Sequence, residues 1–270
     1  MDSDFKTGIM KTKYPVVLVH GAGIRDTFFL RSFGNIDKEL RKLGYDVTVA
    51  NTDAFGTVES NAEMLRPQIL KMIEDRGCEQ VNIIAHSKGG LDSRYMVERY
   101  EMGDKVASLT TLCTPHKGSP IASEILNSPL WFLKFLAFFI NLYYRIFGDK
   151  NPDCLTVCGQ LQRTGYGEEA AVSIPGVYCQ SFSSTVKKNA EKNDFVMRIP
   201  LHFSRYYEKN TETDGLVPRD STIFGIYRGD CLNGSVSHSE IIDFMTGKEV
   251  KAKVHAFYAA LVDELAKMGF

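Results

Sequence analysis

An excess of charge of one sign is missing from this chain. Its 270 residues carry 32 Lys and Arg against 33 Asp and Glu, a formal net charge of -1. That balance gives no electrostatic reason to expect nucleic acid as a partner. There is no internal repeat and no low-complexity tract, which sets aside repeat arrays and disordered segments. The opening stretch MDSDFKTGIMKTKYP has early acidic residues and lacks the apolar core of a secretory signal. Cysteine is sparse for the length: Cys78, Cys113, Cys154, Cys158, Cys179 and Cys231 are spread over the chain rather than concentrated in a small part of it. Cys154 and Cys158 have no second Cys/His pair nearby, so no zinc site is expected. Reduced thiols and a cytoplasmic location are the expectation, although a chain that had lost a leader would read the same way and would be secreted.

What is present is an alternation. Short apolar runs rich in branched residues, PVVLVH (15–20), YDVTVA (45–50), VNIIAH (81–86) and ASLTTLC (107–113), read as strands. VYCQSF (177–182) and STIFGIY (221–227) are weaker strand candidates. Helical patterns fall between them at 27–43, 58–76 and 88–101, with Pro67 expected to kink or interrupt the second. A last helix over 248–268 places Val250, Val254, Phe257, Tyr258, Leu261 and Leu265 on one stripe. Strands that are apolar on both faces, alternating with helices, predict an α/β fold with a parallel sheet covered on both sides. The length suffices for one large domain of this kind.

One segment breaks the rhythm. SPLWFLKFLAFFINLYYRIF (128–147) is the most hydrophobic stretch and holds the single tryptophan. At about 100° per residue, Lys134, Asn141 and Arg145 share one narrow helical stripe and leave the rest apolar. Its run is short and carries two charges, unlike a transmembrane span of roughly 20 apolar residues. Three readings stand: a buried core helix, which such patterns most often form, an interfacial anchor, or a lid over an apolar pocket.

The chemistry gathers around Ser87. Residues 85–89, Ala-His-Ser-Lys-Gly, match the G-x-S-x-G nucleophile elbow with alanine in the first position. So sharp a turn from strand to helix needs small residues two before and two after the serine, and alanine still meets that condition. Gly89 and Gly90 then let the helix begin close to the sheet.

A serine needs a base, and in this topology an acid and then a histidine follow the nucleophile along the chain. His20 and His86 precede it. His116 comes too early and suits a turn-stabilising role, and His202 precedes the best acid candidate. His255 lies off the apolar stripe of the last helix, which suits solvated surface. His238, in a polar loop before that helix, is where the base should be. For the acid, Asp214 in TETDGLVPRDS (211–221) stands out, with Asp92, Asp194 and Asp220 as competitors, Asp92 the least suitable. Oxyanion donors are each worth about 2.7–4 kcal/mol in such chemistry. The backbone N–H groups of Lys88 and Ala22 are the candidates, the lysine side chain being incidental to that role.

These pieces carry a resemblance. YPVVLVHGAG (14–23), AHSKGGLDSRYM (85–96), LTTLCTPHKGSP (109–120), TDGLVP (213–218) and SHSEIID (237–243) make the chain similar to bacterial lipases of the triacylglycerol lipase and esterase group, in the α/β-hydrolase superfamily. The resemblance implies one domain over 1–270, a mostly parallel sheet of about six strands flanked by helices, and a helical lid insertion within 121–210. It implies Ser87 as nucleophile, Asp214 as acid, His238 as base, and Ala22 and Lys88 as oxyanion donors. It makes the lid the leading reading of 128–147, with Trp131, Phe135 and Phe139 as candidate contacts to an acyl chain. Many relatives hold a structural calcium. Glu240 and Asp194 could be remnants of that site, but the ligand pattern is incomplete, and the inserted segment of zinc-bearing relatives is not seen, so no metal or other cofactor is expected. The implied function is hydrolysis of an acyl ester or lipid through an acyl-enzyme, with a lipid–water interface met through 128–147. Acyl transfer or thioester hydrolysis at the same site, and a binding protein without turnover, are the alternatives.

Overall fold

Branched side chains stiffen the backbone toward extended structure, and the first strand, β1 (Val16–Val19), is the four-residue run VVLV with every residue buried. In the computed structural model, which describes residues 11–27, 30–127, 129–162, 173–186, 197, 200–202, 212–233 and 236–270, this strand lies inside a six-stranded sheet. The other strands are β2 (Val47–Val49), β3 (Val81–His86), β4 (Val106–Leu112), β5 (Tyr178–Ser183) and β6 (Ile226–Asp230). All pair in parallel in the order β2-β1-β3-β4-β5-β6.

Alternation along the strands builds two cores. Val16, Leu18 and Ile84 point to one face and pack with α1 (Ile36–Lys42) and the final helix, here α7 (Lys248–Lys267). Val17, Val19, Ile83 and Ala85 point to the other and pack with α2 (Val58–Arg76) and α3 (Lys88–Arg99). The chain reverses its direction of sheet growth between β1 and β3. In parallel sheets, the crevice beyond the strand ends at such a switch point is where ligands bind.

Three expected elements differ. The helix expected over 27–43 is reduced to Ile36–Lys42. Before it, Gly34 takes a left-handed φ of 48° and Asp26 ties down the Ser32 amide and hydroxyl, so that stretch closes as a loop. The strand expected over 221–227 begins at Ile226. Residues Arg219–Thr222 instead form a 3-10 turn opened by Pro218, and Gly225 (φ 59°) passes so close to Cys179 that a Cβ would clash with its backbone. Helix α2 runs without interruption through Pro67. Beside the missing N–H, the Gln68 side-chain amide donates to the Met64 carbonyl at 2.8 Å and pairs with both backbone groups of Asn51, which braces that turn.

Between β4 and β5 lie α4 (Pro120–Leu126), α5 (Leu130–Ile146) and α6 (Cys154–Gln162). The interval 121–210 is therefore divided by β5, which belongs to the central sheet. The buried-core reading of 128–147 is overturned. Only Leu133 and Ala137 of α5 are buried, and Trp131, Phe135, Phe138, Phe139 and Ile146 are all half or more exposed. The helix packs Leu133 and Ala137 inward near its neighbours α4 and α6, outside the sheet's two cores, and leaves most of its large apolar side chains exposed.

Candidate active site

Strand β3 ends at His86, and the chain must turn at once into α3. Ser87 makes that turn with φ 53° and ψ −131°, a conformation strained for any residue other than glycine. The turn is possible because its neighbours have almost no side chain. A Cβ at Gly89 would sit 2.3 Å from the His20 carbonyl oxygen, and one at Gly90 would sit 2.1 Å from Thr114 Oγ1. Gly21, across from the turn, is equally tight, with a built Cβ 2.7 Å from Ser87 Cβ. The helix N-terminus is thereby pressed against the end of β1.

His238 reaches this turn from 151 residues away, its Nε2 lying 2.8 Å from Ser87 Oγ. Its Nδ1 lies 2.7 Å from Asp214 Oδ2. A carboxylate only accepts, so Nδ1 carries the proton, leaving Nε2 free to accept from the serine hydroxyl. Asp214 is held in turn: its Oδ1 accepts from the Leu216 and Val217 amides at 2.9 and 2.8 Å. The His238 backbone amide donates to the Asp214 carbonyl at 3.0 Å, which locks the two loops together. All three side chains are at least nine-tenths buried.

Ala22 lines the same cavity as Ser87, on the loop after β1. Lys88 is the first residue of α3, where backbone N–H groups have no partner within the helix. Its side chain turns away from the cavity into a buried ion pair with Asp92 at 2.7 Å, and Asn61 also donates to that carboxylate. Burial raises the Asp92 carboxyl to about 6 against the pull of Lys88. Asp92 is thus engaged on the far side of α3, and Asp220 is exposed on its 3-10 turn. Asp194, the remaining acid candidate, lies outside the described residues.

The cavity beside Ser87 has a volume of about 260 Å³ and mostly apolar walls, including Ile121 and Ile125 of α4, Leu161 of α6, and Leu216 and Val217. Trp131, Phe135 and Phe139 are not among its walls; they face outward on α5. Ile121, Ile125, Leu161, Leu216 and Val217, which do line it, were not singled out in the sequence. Hydrophobicity ranked α5 first, but α4 and the Asp214 loop stand nearer the serine.

Other histidines divide by environment. His116 stacks on Phe224 and meets Thr111 Oγ1 at 3.2 Å, and burial lowers its pKa to about 3. His255 is a correction to solvated surface: it is half-buried, and its Nε2 meets Asp243 Oδ2 at 3.0 Å. Cys113, in a left-handed conformation, brings its sulfur within 4.8 Å of the nearest ligand atoms of Asp214 and His238. A metal there would need a thiolate, yet the neighbouring Cys231 and burial push the Cys113 thiol well up. The imidazole and carboxylate are already satisfied by each other. Glu240 is occupied by the Ser237 amide at 3.0 Å.

The family model described as palmitoyl protein thioesterase matches residues 15–237. The chain is 27% identical to triacylglycerol lipase 2 of Saccharomyces cerevisiae over 253 residues, covering 87% of this chain and 73% of that protein. It is 37% identical over 119 residues to a triacylglycerol lipase of Pseudarthrobacter phenanthrenivorans, covering 42% of this chain and 37% of that one. The match thus spans little more than a third of the bacterial enzyme's length. Among solved structures, the Staphylococcus hyicus lipase superposes with a TM-score of 0.71 at 16% identity over 97% of both chains. The fold is that of the α/β-hydrolases.

Proposed function

The chain belongs to the palmitoyl protein thioesterase family, and from that premise we propose that it is a serine carboxylic-ester hydrolase of the lipase and esterase kind. One observation carries this reading: the unbroken hydrogen-bond path from Ser87 Oγ through the His238 ring to Asp214, at 2.8 and 2.7 Å. His238 Nε2 takes the serine proton as Oγ attacks the acyl carbonyl carbon. Asp214 holds the ring in the required tautomer and stabilises the imidazolium. The Lys88 and Ala22 amides receive the developing oxyanion, His238 returns its proton to the leaving oxygen, and water then releases the acid.

The apolar cavity favours a hydrocarbon acyl group, and the names of the lipase relatives support a lipid ester as substrate. Ser87→Ala tests the reading: hydrolysis of a chromogenic ester should vanish while the circular dichroism spectrum is unchanged. Turnover by the folded variant sinks it. Labelling of Ser87 by a fluorophosphonate separates an enzyme from a binding protein without turnover.

A second reading, hydrolysis of an acyl thioester or acyl transfer at the same serine, is favoured by the family's description. Product analysis with thioester substrates and with competing alcohols distinguishes these. Helix α5 supports a further element, contact with a lipid surface. No single described helix is long and apolar enough to cross a membrane. An amphipathic helix with large apolar side chains outward and Lys134 and Arg145 on its polar stripe suits the interface of a bilayer or an oil droplet.

A further inference from the structure

Asn61, on α2, is 2% exposed, with both amide hydrogens and its oxygen engaged. Nδ2 donates to the Asp53 carbonyl and to Asp92 Oδ2, both at 2.9 Å, and Oδ1 accepts from the Asp53 amide at 3.1 Å. Among the described residues, none of α2 lines the cavity beside Ser87, so this side chain can serve the site only through what it holds. It holds two things. Asp92 grips the Lys88 ammonium at 2.7 and 3.0 Å. Asp53 belongs to the segment 52–54, which braces the loop after β1 at two points. The Thr52 hydroxyl meets His20 Nε2 at 3.2 Å, and the Ala54 carbonyl accepts from the Gly23 amide at 3.0 Å. Lys88 and the loop of Ala22 are thus tied to one buried side chain. Gly56 shows how closely that node is packed: a Cβ there would lie 2.3 Å from Asn61 Oδ1.

The first turn of α3 needs such bracing. Ser87 holds a strained backbone, φ 53°, and its hydroxyl faces His238, so it gives the helix no side-chain cap. A lysine at a helix N-terminus opposes the helix dipole, and a buried ion pair often stabilises no better than packed hydrocarbon. Stability therefore gives no reason to place Lys88 and Asp92 there, whereas holding the turn in position does. We propose that Asn61 is a positioning residue for ester hydrolysis, setting the Lys88 and Ala22 amides at a fixed separation so that both reach one oxyanion. This rests on the reading of Ser87 as nucleophile and of those two amides as oxyanion donors. An oxyanion hole works because its donors are already in place when charge develops. A small displacement of either donor is therefore felt in the transition state and little in the bound substrate.

The test compares the wild type with Asn61→Ala for hydrolysis of a p-nitrophenyl ester and for inhibition by an alkyl trifluoromethyl ketone. Ser87 Oγ adds to that ketone's carbonyl carbon, the hydroxyl proton passes to His238, and the carbonyl oxygen becomes the oxyanion. Donors moved out of line predict kcat lower by about 10–100-fold, KM unchanged, and an inhibition constant raised by the factor that kcat loses. The acid limb of the pH–rate profile should stay in place, because the contacts among Ser87, His238 and Asp214 do not involve Asn61. Unchanged kcat and inhibition constant in the folded variant overturn the proposal. So does a fall in kcat with unchanged ketone inhibition or with a shifted acid limb, since Asn61 would then act through stability or through the triad. Should Asn61→Ala not fold, Asn61→Ser decides, because one hydroxyl donor cannot serve both Asp53 and Asp92. Unchanged ketone inhibition in that variant overturns the proposal. A wild type that the ketone does not inhibit removes the parent reading of Ser87 instead.

Discussion

Arg25 and Asp149, 124 residues apart in the chain, meet at 2.7 Å with both side chains buried. The same carboxylate accepts from the Ala54 and Phe55 amides at 3.0 and 2.9 Å, and Asp53 answers by accepting from the Lys150 and Asn151 amides. The Tyr144 hydroxyl donates to the Gly23 carbonyl at 2.5 Å. The C-terminal root of α5 is thereby fastened to the loop that presents Ala22 to the serine. Asp149→Ala leaves the Arg25 guanidinium buried against too few acceptors. Urea unfolding should show a loss of about 3–5 kcal/mol, the cost of breaking a buried pair from one side. Ester turnover should fall with it, because the loop carrying Ala22, the proposed oxyanion donor, loses its anchor. Unchanged stability would show that the pair contributes nothing net.

Asp214→Asn preserves shape but lets the side chain donate as well as accept, which favours the wrong tautomer of His238. Turnover of a chromogenic ester should drop by about 10⁴ with little change in the unfolding midpoint. A near-normal rate would hand the acid role to another carboxylate.

Acid sensitivity should depend on His116. The unfolded chain binds a proton at this ring below about pH 6.5, whereas the buried ring accepts one only near 3. Between those values the unfolded state holds the extra proton, so stability falls as pH is lowered through that window. His116→Gln removes the term. The difference in unfolding free energy between pH 7 and 4.5 should shrink by about 2 kcal/mol relative to the wild type. Parallel pH profiles for the two proteins would refute this.

Helix α5 makes its own prediction. The protein should co-sediment with liposomes, and the double substitution Phe135→Ser and Phe139→Ser should abolish this while leaving the far-ultraviolet spectrum unchanged, because both rings are half or more exposed. Equal sedimentation of the two proteins would end the lipid-surface reading of this helix.

The parts of the molecule legible in the sequence are those with a local cause. β1 and β3 could be read because their apolar runs are continuous, and α2 because its helical pattern is local; Thr57 at its start and Gly77 (φ 59°) at its end bound it in the structure. The elbow could be read because its requirement is steric and confined to five residues. The lining of the cavity by α4 escaped because it depends on how separate segments pack. Hydrophobicity says that a side chain avoids water, but not which surface it will find.

By itself, then, the sequence determined the order of strands and helices, the position of the tight turn at Ser87, and the candidates for its partners. Periodicity, residue size and backbone preference act over a few residues and need no knowledge of the rest. The tertiary structure alone decided that a ring 151 residues away lies 2.8 Å from that serine, that Lys88 is neutralised by Asp92, and that α5 turns its rings outward. Those outcomes depend on how separate segments are packed together by burial of the sheet's two faces, a constraint that belongs to the whole chain and is written in no single stretch of it.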